Sequence, residues 1–303
     1  MGTQRLHCQI TGLMGVVALG VGVAPGVVFA QTAPASPVTP AAQSAEAALS
    51  QGLQYIQQDK LDSAIAAFQQ AVQLNPRMAA GYYNLGLALR QKGDLQPAAT
   101  AFYQATQVDP NFALAYANLG AALLEGGNFP QAKDYLQRAV QLNPNLGLAH
   151  YNLGLVLLQQ QDYTGAFASL RKASELSPKS PEPYYYMGMI YLQQRQMPNA
   201  RTAFEQAIKL NPKYAEAYYN IGTILFTQGD VEGALKAFRQ SAESNSNYAN
   251  AYYGAGLVFL KQGKWADAQQ VLTYAKDLYA SQGNTLWATK ADQQLQRAKQ
   301  GGP

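Results

Sequence analysis

Small and apolar residues return along this chain on a fixed period. Glycine stands at Gly52, Gly86, Gly120, Gly154, Gly188, Gly222 and Gly256, and alanine at Ala64, Ala98, Ala132, Ala166, Ala200, Ala234 and Ala268, each 34 residues after the last. Taking Ala45 as the first position, seven repeats fill 45–282 without insertion. That length is one supersecondary unit repeated in tandem. Within a repeat, positions 4, 7, 8 and 11 follow the i, i+3, i+4, i+7 spacing of a helix face, as in Tyr82, Leu85, Gly86 and Leu89. Gly93, Gly127, Gly229 and Gly263 stand where a helix ends in a left-handed residue. Pro76, Pro110, Pro144, Pro178 and Pro212 stop a second helix. The pattern predicts two helices per repeat. An interior glycine costs about 1 kcal/mol against alanine, so seven in register predict close approach of the paired helices at these small residues.

Leu286, Trp287, Ala291, Leu295 and Ala298 fall at helical spacing beyond the last repeat. They predict a capping helix over 284–299, with Trp287 packed on the repeats and a disordered tail completing 283–303. Residues 31–44 (QTAPASPVTPAAQS) show no periodicity and read as a flexible Pro/Ala-rich linker.

With an aromatic at position 4, Leu-Gly at 7 and 8, alanine at 20 and proline at 32, as in GYYNLGLALRQKGD (81–94) and AYYNIGTILFTQGD (217–230), the chain resembles the tetratricopeptide repeat family. The resemblance covers about four fifths of the length. Repeat one departs at Ala48 and Gln51, and repeats six and seven carry Ser246 and Ala280 in place of proline; terminal repeats of a solenoid have one neighbour and are expected to be atypical. The resemblance implies an all-α, right-handed superhelical α-solenoid of helix-turn-helix repeats. It also implies a concave groove, lined by the first helices, that binds a peptide segment of another protein.

The residues assigned to that groove are the apolar row at positions 5, 9 and 12 and the asparagine at position 6. The row holds Tyr83 with Leu87, Tyr151 with Leu155, Tyr185 with Met189, Tyr219 with Phe226 and Tyr253 with Leu257; the asparagines are Asn84, Asn118, Asn152 and Asn220. Tyrosine offers a rigid apolar ring with a polar tip. Asparagine is a poor mid-helix residue, and one amide per repeat makes a ladder suited to pairing with an extended backbone. Two other readings stand beside these: the tyrosines pack on the next repeat, and the asparagine belongs to the general repeat pattern. Tyr186 and Gly254 interrupt the ladder. Positions 2, 5, 6 and 9 hold no Lys or Arg in any repeat but include Glu46, Glu182 and Glu216, which argues against a clamp for acidic chain termini.

Composition narrows the chemistry. Only 13% of residues are charged and the formal net charge is +4, with no basic run to suggest nucleic acid. Cys8 is the single cysteine, and His7 and His150 are the only histidines. Disulfide frameworks, Cys/His zinc sites and histidine-dependent triads therefore lack their residues. His150 replaces the packing aromatic of position 4. The acidic residues lie near helix ends, with no insertion to build a pocket. The expectation is no enzyme, no metal and no cofactor.

The first thirty residues run from Arg5 and His7 through an apolar stretch, Leu13–Ala24, to Val28-Phe29-Ala30. That is the order of a secretory signal peptide, with cleavage after Ala30; the alternative is a membrane anchor over 10–30. Either places the repeats outside the cytoplasm, secreted or periplasmic. The function read from sequence is an adaptor gripping an extended or helical segment of a partner protein, with no nucleic acid and with membrane contact only if the N-terminal segment is uncleaved. The alternative is a self-associating structural or assembly-tethering protein of the cell envelope.

Overall fold

Each second helix drives one large side chain against a glycine of the first, and this contact organises every hairpin where it is described. The computed structural model describes residues 40–301. The expected signal segment with Cys8 and His7, and the linker up to residue 39, lie outside the described residues. Fifteen helices run in tandem among them: α1 (Pro40–Gln57), α2 (Leu61–Leu74), α3 (Ala79–Lys92), α4 (Leu95–Val108), α5 (Ala113–Glu125), α6 (Phe129–Leu142), α7 (Gly147–Gln159), α8 (Tyr163–Leu176), α9 (Glu182–Gln193), α10 (Met197–Leu210), α11 (Ala215–Gln228), α12 (Val231–Ser244), α13 (Ala249–Lys261), α14 (Trp265–Ser281) and α15 (Thr285–Lys299). None of the helices described is long and apolar enough to cross a membrane. Helix α1 starts at Pro40, ahead of the repeat's first position at Ala45; proline's fixed φ suits a first helical turn, so the end of the expected linker is helical.

At Gly52, Gly86, Gly120, Gly188, Gly222 and Gly256 the partner of the position-8 glycine is the residue at position 24. A β-carbon built on Gly86 would lie 2.6 Å from Phe102, on Gly120 2.5 Å from Leu136, and on Gly222 2.7 Å from Phe238. Phe68, Phe102, Leu136, Leu170, Phe204, Phe238 and Leu272 are all buried, none above 2% exposed. The glycines thus make room for a ring or a leucine, and the cost of a helix-interior glycine is offset by the burial of that side chain.

Two devices end the helices. Position 15 is left-handed in all seven repeats: Gly93, Gly127, Gly229 and Gly263, but also Asp59 (φ 56°), Gln161 (62°) and Arg195 (60°). The second helices end in a turn in which Asn75, Asp109, Asn143, Asn211 or Asn245 accepts the amide two residues on, at 2.9–3.0 Å. Asn245 makes this turn although Ser246 replaces the proline, so the side-chain acceptor suffices. With Ala280 there, α14 instead runs on to Ser281, and Asn284 caps α15 by accepting the Trp287 amide.

Contacts divide the chain into two compact units, up to Gln160 and from Gln161. In the N-terminal unit, first helices of successive repeats touch directly, α3 with α5 and α5 with α7; in the C-terminal unit α11 meets α13 in the same way, and α13 meets α15. Second helices are not in comparable contact with each other among the described residues. Within each unit, then, the first helices form the inner, compressed side of the stack.

Two stability changes follow. Gly222→Ala must push its methyl into the Phe238 ring, and a urea melt should show a loss of about 1–3 kcal/mol. Arg195→Gly removes a left-handed non-glycine residue, and the same melt should show a gain of about 0.5–1 kcal/mol.

Candidate peptide-binding face

On the inner side of the N-terminal unit, the residues assigned to a partner are engaged with one another. Tyr83, 3% exposed, packs 5.8 Å from Phe102 of its own hairpin and 4.9 Å from Phe112, the last residue of the same repeat. Its hydroxyl accepts from Asn118 Nδ2 at 3.3 Å. Burial pushes this phenol up to about 12, against the opposing pull of Arg90 and the Asn118 bond. Asn118 also donates to the Leu114 carbonyl at 3.0 Å and accepts from Arg90 Nη1 at 3.3 Å. Arg90 then pairs with Glu125, its Nε donating at 2.9 Å, with both side chains under 20% exposed. Leu87 and Leu155 are buried and Tyr151 is half-buried.

The asparagine ladder needs correction in its geometry. Asn84, Asn118, Asn152 and Asn220 are all buried and present no open row of amides. Between repeats six and seven, position 6 faces the ring of the preceding repeat's second helix. In repeat seven Gly254 stands there, and a β-carbon on it would lie 2.6 Å from Phe238. Buried in this seam, Asn118 bonds to Tyr83, the position-5 hydroxyl of the preceding repeat, and Asn220 lies close enough to the equivalent Tyr185 hydroxyl to lower its pKa against the rise from burial. Neither amide atom of Asn84 has a partner, and Asn152 Nδ2 has none. The preceding repeats explain this: position 5 is Leu49 before Asn84 and Ala117 before Asn152, so no hydroxyl is supplied. The tyrosine–asparagine pair ties one repeat to the next, and half of the ladder lacks its other half.

The C-terminal unit is more open. Tyr185 and Tyr219 are half-buried, as are Met189, Phe226 and Leu257 on the same row; Tyr253 is buried. Tyr185 lies 5.6 Å from Phe204 and 5.0 Å from Tyr214, while Tyr219 lies 5.7 Å from both Phe238 and Tyr248. Burial raises the phenols of Tyr185, Tyr219 and Tyr248 above their ordinary value. Tyr253 meets Trp287 edge-on at 5.6 Å; Trp287 stacks on Tyr279 at 5.9 Å and carries Lys290 over its face at 4.0 Å. Trp287 thus closes the end of the row, as its spacing predicted. The Tyr279 hydroxyl donates to Asn250 Oδ1.

Tyr214 and Tyr248 join this face without having been assigned to it. Their signal was present: position 34 is large and apolar at most repeat boundaries (Met78, Phe112, Leu146, Tyr214, Tyr248), as a wedge between repeats must be. His150 is half-buried with Nε2 2.9 Å from the Pro144 carbonyl, a local contact that locks the repeat boundary. Among the described residues no group of three His, Cys, Asp or Glu side chains is placed to hold a metal.

Comparison with known proteins agrees with this architecture. A family model described as "Tetratricopeptide repeat" matches residues 117–181, 185–249 and 228–283, and a second, described as "TPR repeat", matches 52–93 and 86–127. No curated protein sequence matches. Among solved structures, a tetratricopeptide repeat protein from Parabacteroides merdae is 20% identical with a TM-score of 0.64, over 85% of this chain and 99% of that one. PilF of Pseudomonas aeruginosa is 20% identical with a TM-score of 0.61, over 70% and 97%. YrrB, described as a TPR protein with an unusual peptide-binding site, is 25% identical with a TM-score of 0.50, over 61% and 95%.

The seam predicts unequal asparagines. Asn118→Ala removes bonds to Tyr83, Leu114 and Arg90 and should lower stability in a urea melt by about 1–3 kcal/mol. Asn84→Ala breaks no bond and should change it by less than about 1 kcal/mol.

Proposed function

Because the chain belongs to the tetratricopeptide repeat family, whose models match most of its length, we propose that it is a non-enzymatic scaffold outside the cytoplasm, holding an extended or helical segment of a partner protein along the inner face of its first helices. One observation carries the reading. In the C-terminal unit, Tyr185, Met189, Tyr219, Phe226 and Leu257 form an aromatic and apolar row on the inner side that is only half-buried. Rigid amphipathic rings on a curved wall favour peptide capture, because little side-chain entropy is lost on binding.

The N-terminal unit plays a different part. Its Tyr83, Leu87, Ala121 and Leu124 are buried, and its polar groups serve the repeat seam, so it offers a partner less of such a row. The basic, apolar and small-residue order of residues 1–30 supports export, and residues 31–303 carry no cysteine to oxidise there. The likeness to YrrB supports peptide binding in kind.

A photo-crosslinking benzoyl-phenylalanine placed at Phe226, on the inner row, should give a discrete product with a second protein in intact cell envelopes. The same group at Tyr274, exposed on the second helix α14, should give none. Equal yields from the two positions would overturn the inner-face reading, and a product containing two copies of this chain would mark self-association instead.

A further inference from the structure

The inner face of the C-terminal unit holds a carboxylate that the protein leaves unpaired. Glu216, at the second position of α11, is half-buried, and its carboxylate makes no ion pair or hydrogen bond with any described residue; only its backbone carbonyl is engaged, by Asn220. Lys213, exposed three residues earlier, forms no ion pair with it. A charge drawn partly out of water without a counter-ion is unfavourable. At positions 2, 5, 6 and 9 of α9, α11 and α13 the charged residues are Glu182 and Glu216, both acidic.

The phenols of Tyr185 and Tyr248 lie within electrostatic reach of this carboxylate, and Tyr219 follows it by three residues on the same helix. Tyr185 packs 5.0 Å from Tyr214 in repeat five, and Tyr219 packs 5.7 Å from Tyr248 in repeat six. Burial first, and then nearby phenols and the Glu216 charge, raise both Tyr185 and Tyr248, so these rings stay neutral at ordinary pH. Neutral aromatic faces attract a cation through their quadrupole, and more strongly where water is partly excluded. A carboxylate set among them adds a formal counter-charge. The pairing of the two is the environment a cationic side chain seeks.

Resting on the inner-face reading above, we infer that the tyrosine-walled carboxylate at Glu216 receives a basic side chain of the bound segment, arginine ahead of lysine. A guanidinium lies flat on a phenol ring and still donates in the plane to a carboxylate, which an ammonium does less well. The partner segment is therefore a basic one.

The test pans a random dodecapeptide library against the full chain and against Glu216→Gln, an isosteric change at a side chain that makes no bond. Peptides selected by the wild type should be enriched in arginine. Replacing that arginine by citrulline, which keeps the shape and removes the charge, should weaken binding by about tenfold in fluorescence anisotropy. With Glu216→Gln, the arginine and citrulline peptides should bind alike, while circular dichroism shows an unchanged fold. Selection of peptides without basic residues, or an undiminished citrulline penalty in the Gln variant, would refute the cation site and leave inner-face binding standing. Failure to select any peptide above background would remove both.

Discussion

The structure depends on a large side chain at position 24 of the repeat lying on a glycine at position 8. Any β-carbon at Gly52, Gly86, Gly120, Gly188, Gly222 or Gly256 would fall 2.4–2.7 Å from that side chain, well inside contact distance. The ring or leucine must therefore occupy the space the glycine leaves, and this fixes the height and rotation of one helix against the other. Protein interiors transmit such constraints because they are close-packed. In repeat six Phe238 goes further: it fills Gly222 of its own hairpin and Gly254 of the next repeat, so a single ring sets both the hairpin and the stacking step.

Stacking decides which inner-face groups remain for a partner. Position 5 rests on the position-24 residue of its own hairpin and on the wedge at position 34, as Tyr83 does on Phe102 and Phe112. Position 6 is pressed into the seam behind. A tyrosine at 5 followed by an asparagine at 6 of the next repeat, as with Tyr83 and Asn118, closes a hydrogen bond across the joint. Where leucine or alanine stands at 5, the buried asparagine is orphaned, an unfavourable condition that native proteins tolerate sparingly. The N-terminal unit adds the Arg90–Glu125 pair across repeats two and three. The C-terminal unit lacks such a pair on its inner row, and its aromatic side chains stay only half-buried.

Repeat number, helix pairing and the capping helix were legible because each is written as periodicity: a glycine every 34 residues, apolar positions at helical spacing, and Trp287 in phase with Leu295. The left-handed loop residue was legible where it is glycine and hidden at Asp59, Gln161 and Arg195, since the repeat imposes that conformation on whatever side chain it finds. The site was legible only in outline. Sequence spacing put Tyr83 and Asn118 on neighbouring helical faces, but whether those faces open to solvent or close on the next repeat depends on the stacking step, which no single helix encodes. Tyr214 and Tyr248 lie outside the first helix of the motif and were seen only once adjacent repeats were stacked.

The choice of tyrosine over phenylalanine on the inner row bears on what the row can hold. A phenol pushed upward in pKa donates a hydrogen bond but resists ionisation, so the wall stays uncharged across the range in which a partner's carboxylates, lysines and arginines are all ionised. Its field is then set by the few formal charges on it, Glu182, Glu216 and the Lys261 ammonium that lies 5.0 Å over the Phe226 ring, acting between walls of low polarity where charge–charge forces are less screened. A wall of phenylalanine would keep the cation affinity of the ring but leave the amide of Asn118 without the hydroxyl that joins the repeats. One residue type thus serves both demands: its ring and hydroxyl hold the stack together, and the part of the ring still facing inward supplies a neutral surface on which a single carboxylate selects the sign of its guest.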